Sequence, residues 1–120
     1  MSTGVILLAA GSGRRFGQKK EKQLFKLDGE ALFLKPLRCF LSVKSIHEIN
    51  LVVPSGKEDI FKRILHRAQL MKRVTMVLGG AIRGESVKNG FKAFQRKHQT
   101  ILVHDSARPL VSKEIISRVE

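Results

Sequence analysis

The chain has 120 residues, 42% of them hydrophobic and 28% charged. That composition suits a single globular domain with its own core and leaves no room for two. Lys and Arg number 23 against 10 Asp and Glu, a net charge of +13, so the expected ligands are anions. The longest purely apolar run, Val5 to Ala10, is too short for a membrane span or a secretory segment. The one cysteine, Cys39, excludes an intramolecular disulfide framework and a multi-cysteine zinc site, and it reads as a small apolar packer. By elimination these features point to the cytoplasm. Trp and Tyr are absent, and the seven Phe fall mostly on apolar helical faces. A single-strand binder interleaves stacking aromatics with its cations, so nucleic acid is demoted as a partner.

Residues 5–10 form an apolar run that ends at a glycine, which predicts a strand buried on both faces. Asp28-Gly29 marks a turn. Residues 31–42 place Leu34, Leu37, Phe40 and Leu41 at helical spacing, and Pro36 sets the start of that helix close before it. Residues 48–53 predict a second strand, stopped by Pro54. Ser55 and Glu58 have capping-box spacing, and the helix they open carries Ile60, Phe61, Ile64, Leu65 and Ala68 on one stripe. Residues 73–78 predict a third strand, cut off by Gly79-Gly80. A helix over about 85–97 puts Val87, Phe91 and Phe94 on one face. Residues 100–104 predict a fourth strand, and Ser112 caps a last helix with Ile115, Ile116 and Val119 inward. Strands and helices alternate with short connections. The expected fold is α/β, an open, mainly parallel sheet with helices on both faces, as one nucleotide-binding domain over residues 1–120.

In an open parallel sheet, ligands bind beyond the carboxyl ends of the strands. The loop there runs from Gly11 to Gln23, with glycines at 11, 13 and 17. That spacing is one residue longer than the dinucleotide fingerprint and lacks the Gly-Lys-Ser/Thr of a P-loop. Gly11 and Gly13 let backbone N–H groups approach an anion closely. Between Arg14 and Lys22 there are five basic residues and one acid. Arg offers a planar fork and Lys a point charge, so the pattern fits a polyphosphate loop better than a plain basic surface loop.

The run from Leu8 to Gly17, followed by Lys22-Gln23, resembles the nucleotide loop of the cytidylyltransferases that act on 2-C-methyl-D-erythritol 4-phosphate. Residues 79–91 resemble that family's G-G-x-x-R-x-x-S-V-x-x-G-[LF] segment, and residues 103–109 its V-H-D-[AS]-A-R-P. The resemblance spans nearly all of this chain and the amino-terminal part of the family pattern. It implies a Rossmann-like nucleotidyltransferase fold without its carboxy-terminal part. It also implies transfer of CMP from CTP to the polyol phosphate, with release of pyrophosphate, in non-mevalonate isoprenoid biosynthesis.

Residue roles follow from the same resemblance. Arg15 and Lys22 match the catalytic Arg and Lys. Ala9, Ala10, Gly11, Ser12 and Gly13 match the nucleotide loop, the amides of Ala10 to Gly13 cradling the triphosphate. Gly80, Ala81, Arg83 and Ser86 match the base and ribose pocket, with Arg83 as a clamp for its loop. Read from spacing alone, Ser86 is equally a helix N-cap. Asp105 matches a ligand of Mg²⁺, which suits a carboxylate beside phosphates; on spacing alone a turn cap competes. Arg108 matches a position near the polyol phosphate, and His104 reads as an orienting or structural residue.

Three departures from the family pattern stand out. Glu21 replaces the usual proline before Lys22, which loosens the loop and offsets part of its field. Ala81-Ile82 stands where polar residues are common. The family's dimer arm, much of its polyol pocket and a further phosphate-binding lysine belong to segments beyond Glu120, so the expectation is a CTP half-site without the homodimer arm if 120 residues is the natural length, and the full family function if they are part of a longer protein. Two alternatives stay open. One is a ribitol 5-phosphate cytidylyltransferase, which shares the first and third motifs. The other is a non-catalytic CTP or polyanion binder.

Overall fold

The computed structural model describes residues 2–9, 26–27, 30–31 and 33–106. Strand β1, Thr3–Leu8, is buried on both faces along its whole length. Continuous apolar sequence of this kind is stable only as a central strand of a covered parallel sheet. Accordingly β1 pairs in parallel with β4 (Ile46–Val53) on one side and β6 (Thr100–Asp105) on the other. The outer strand β5, Thr75–Leu78, pairs in parallel with β4, so the sheet order is β5-β4-β1-β6. A small antiparallel pair, β2 (Lys26–Leu27) with β3 (Glu30–Ala31), brackets the expected turn at 28–29.

Side-chain alternation along the strands divides the core into two layers. Val5, Leu7, Ala9, Ile49, Leu51 and Val53 face α1 (Leu34–Leu41) and α2 (Glu58–Arg67). Ile6, Leu8 and Val52 face α3 (Arg83–Lys92), with Val87 and Phe94 packed on them. Among the described residues no helix is long and apolar enough to cross a membrane.

Three local expectations change, while the expected start of α1 close before Pro36 holds. Ser55 and Glu58 form no capping box: the N-cap is Lys57, without a side-chain cap bond. Gly56 at φ 89° and the Lys57 N–H to Pro54 carbonyl bond (3.1 Å) make residues 54–57 a turn, which leaves Ser55 outside the helix. The α1 helix starts at Leu34, so Pro36 sits in its first turn. β5 starts at Thr75 because Met71–Arg73 form a 3₁₀ turn, closed by the Arg73 N–H on the Leu70 carbonyl at 3.0 Å. The third α-helix covers Arg83–Lys92 rather than 85–97, since the Gln95 N–H leaves the helical ladder for Glu48 Oε2 at 2.8 Å. The helix expected after Ser112 lies outside the described residues.

That Glu48 contact belongs to a buried bridge at the amino end of the sheet. Glu48 Oε1 lies 2.7 Å from His98 Nε2, and the His98 side chain is fully buried. Burial by itself pushes the Glu48 carboxyl up. The Gln95 N–H, the His98 ring with its charge, and the Arg96 N–H outweigh it and hold the group below the ordinary carboxylate value. A depressed folded-state value contributes stability that is present above the unfolded value, about 4.3, and is lost as pH falls through the folded one. The gap in urea midpoint between the native chain and Glu48→Gln is therefore expected to be wide at pH 6 and to narrow by pH 3. A gap independent of pH would show that the carboxylate charge contributes nothing there.

Candidate functional site at the carboxyl rim of the sheet

From β1 the chain moves outward through β4 to β5, then returns across the sheet to β6 on the far side of β1. The order therefore reverses between β1 and β6, and crevices at such points receive ligands in open α/β sheets. The rim there is made by Leu8 and Asp105, which are paired in register. The expected polyphosphate loop begins one residue beyond Leu8.

Ala9 is the one residue of that expected loop among those described. Its side chain is fully buried in the core, and its N–H donates to the Val52 carbonyl at 2.7 Å. The Ala9 amide is thus spent on the sheet and cannot hold a phosphate. Ala10, Gly11, Ser12, Gly13, Arg15, Lys22 and Arg108 lie outside the described residues.

The middle segment is held from within its own helix. The Gly80 N–H donates to Ser86 Oγ at 3.1 Å, and the Ala81 N–H donates to Glu85 Oε1 at 2.7 Å. A Cβ at Gly80 would collide with the Glu85 side chain, so only glycine lets the loop lie this close to the first turn of α3. Ser86 is 2% exposed and sits inside the helix, whose N-cap is Ile82; it anchors the preceding loop rather than capping the helix. Asn89 Nδ2 donates to the Leu78 carbonyl at 3.1 Å, which ties the end of β5 to the same helix.

Arg83 opens α3 and reaches across the mouth of the sheet. Its Nε lies 3.5 Å from Asp105 Oδ1 at the end of β6. The second and third sequence motifs thus meet above the end of β1. Asp105 points toward α3 and its side chain is 40% exposed, so it is bound to Arg83 rather than capping a turn. Ser106 is fully buried, its N–H donates to the Leu8 carbonyl at 2.9 Å, and its Oγ has no hydrogen-bond partner. His104 stands edge-on to the Phe40 ring at 5.4 Å on the opposite face, in keeping with a structural role.

The donor set fits Mg²⁺. Asp105 offers hard carboxylate oxygens that are partly open to solvent. Among the described residues no group of three candidate metal ligands exists. Mg²⁺ needs none, because one or two carboxylates suffice when phosphates and waters complete its shell.

Glu85 and Asn89 were missed by sequence reasoning. Glu85 had a signal: an acid at the third position of a helix, able to reach back to backbone N–H groups. That test singled out Glu58, where no cap bond forms.

Residues 3–120 match the family model of 2-C-methyl-D-erythritol 4-phosphate cytidylyltransferase. An enzyme of that description from Alkaliphilus metalliredigens is 38% identical over 115 residues, covering 95% of this chain and 48% of its own length. The chloroplastic one from Oryza sativa is 35% identical over 118 residues, covering 98% of this chain and 39% of its own. The crystal structure of 4-diphosphocytidyl-2C-methyl-D-erythritol synthase from Anaerococcus prevotii superposes with a TM-score of 0.80 at 31% identity, covering 98% of this chain and 48% of that one. The chain spans about half the length of the relatives it matches. With sequence and fold in agreement over nearly all of its residues, the chain belongs to the 2-C-methyl-D-erythritol 4-phosphate cytidylyltransferase family.

Proposed function

We propose that residues 1–120 form a nucleotide-binding domain that takes CTP at the carboxyl rim of its sheet, in the cytoplasm. There it transfers CMP to 2-C-methyl-D-erythritol 4-phosphate. The observation that carries this reading is the meeting of Arg83 and Asp105 over the end of β1, where the glycine-rich, cationic loop begins. Two stretches distant in sequence thereby meet beside the strand from which the third leaves the sheet.

In the proposed reaction, an oxygen of the polyol phosphate attacks the α-phosphorus of CTP in line. The bond from that phosphorus to the oxygen bridging the α- and β-phosphates breaks, and pyrophosphate leaves with the electron pair. Little covalent chemistry is asked of the protein, so positioning and charge neutralisation supply the catalysis. Arg15 and Lys22 neutralise the α-phosphoryl oxygens. The amides of Ala10, Gly11, Ser12 and Gly13 cradle the phosphates, and Ala9 contributes its carbonyl alone. The N–H groups of Gly80 and Ala81 are already engaged, so this loop reads the 4-amino group of cytosine through carbonyl oxygens. Ser86 fixes the loop and keeps its O–H proton for a base or ribose oxygen. Arg108 takes the polyol phosphate. Asp105 would hold Mg²⁺, which when bound spreads the charge of the phosphates.

Two measurements test this. CTP with Mg²⁺ should raise the melting temperature well beyond ATP or GTP under the same conditions, since a ligand selective for the native state stabilises it. Pyrophosphate should be released from CTP when methylerythritol phosphate is added, and faster than with ribitol phosphate. Equal stabilisation by all three nucleotides would overturn the CTP site. CTP binding without release would leave a binding module and overturn the transfer.

A further inference from the structure

We infer that Arg83 is a reserve counter-ion for Asp105: it occupies the carboxylate while no divalent cation is bound and competes with the cation for it. This rests on the reading of Asp105 as a cation ligand. The two partners are held very differently. Asp105 is the last residue of β6, in register with Leu8, and the next residue is locked by its buried side chain and its N–H bond to the Leu8 carbonyl. Its carboxylate is therefore presented from a rigid base. Arg83 is the first residue of a helix, its side chain is 62% exposed, and it meets Asp105 through an Nε to Oδ1 approach of 3.5 Å. A strong guanidinium–carboxylate pair is bidentate and shorter. Glu85, two residues on, is already committed to the Ala81 N–H and does not rival Asp105 for the guanidinium.

An exposed pair of this geometry contributes little to stability, so a divalent cation displaces it at small cost. The arrangement has a purpose in a chain of net charge +13. A lone carboxylate needs no counter-ion to stay folded, but a nearby guanidinium tunes how readily it accepts a cation. Once displaced, the Arg83 fork is freed at the crevice mouth, where it can meet phosphate oxygens. Cation binding and the position of Arg83 are then linked, and each biases the other equally.

The test is a titration with Mg²⁺ alone, at constant ionic strength, followed by the backbone amide shifts of Leu8, Asp105 and Ser106 in nitrogen-15 spectra of the 120-residue chain. Arg83→Gln is expected to lower the Mg²⁺ midpoint by about two- to fivefold, the range an exposed ion pair can impose. Lys88→Gln removes an equal charge from an exposed position on the same helix, and it should move the midpoint by less than half as much. Asp105→Asn should abolish the saturable shifts. If Arg83→Gln has no effect, or Lys88→Gln matches it, the competition is refuted while Asp105 stands as the ligand. If Asp105→Asn leaves Mg²⁺ binding intact, the assignment of Asp105 fails and the competition fails with it.

Discussion

Arg15→Ala is expected to lower the rate of pyrophosphate release by about 10²–10³, the loss seen when one preorganised donor to a developing oxyanion is removed. Arg15 lies outside the described residues, so its case is built from sequence and chemistry. The loop that contains it follows β1 at the point where the strand order reverses. It carries five cations against Glu21 alone between Arg14 and Lys22. The reaction concentrates negative charge on the α-phosphoryl oxygens, and a planar guanidinium meets two of them at once. Arg15→Lys should therefore recover only part of the rate, since a point charge keeps the field and loses the fork. The loss should fall on turnover more than on the KM for CTP, because the contact strengthens in the transition state. A rate unchanged in Arg15→Ala would remove this residue from the mechanism.

Gly90→Val is expected to destabilise the chain by about 3 kcal/mol, combining overpacking with a broken buried hydrogen bond. A Cβ at Gly90 would stand 2.7 Å from Ile6 Cγ2 and 3.0 Å from Val52 Cγ2. Both neighbours are core residues of central strands, and an interior at crystal-like density has no slack to receive a side chain there. The Gly90 carbonyl also accepts a 2.8 Å bond from Asn50 Nδ2, and Asn50 is fully buried. Pushing α3 outward strands that amide in an apolar layer. Against a total stability of about 5–15 kcal/mol the loss is large. Gly90→Ala should cost less, because alanine's gain in helix propensity offsets part of the clash. Equilibrium urea unfolding reads both, and a Val variant as stable as the native chain would contradict the close seating of α3. Ile6→Ala combined with Gly90→Val should recover part of the loss by opening the space.

The seating of α3 matters to the site because its first turn holds the loop after β5 and sends Arg83 to Asp105. Gly90 thus has a packing reason to be glycine, and the polar Asn50 has a reason to sit in a strand otherwise built of Ile, Leu and Val. Neither reason was visible in the one-dimensional pattern. Asn50 interrupts an otherwise apolar strand, and glycine is a poor helix former at position 90.

Periodicity determined a good deal by itself. The apolar run at residues 5–10 and the alternation of strands with amphipathic helices point to a covered parallel sheet, because that arrangement buries those faces. The glycines and cations after the first strand made a polyphosphate loop the favoured expectation, and that loop lies outside the described residues. Tertiary structure decided the rest. Gln95 donates to a carboxylate 47 residues away and so ends a helix that local propensity would have continued. Ala9 gives its N–H to Val52 and so is tied to the sheet. Arg83 meets Asp105 because the chain turns back across the sheet after β5. Hydrophobic spacing records which face of an element is buried, but a polar group's partner is set by whatever the folded chain brings within about 3 Å of it.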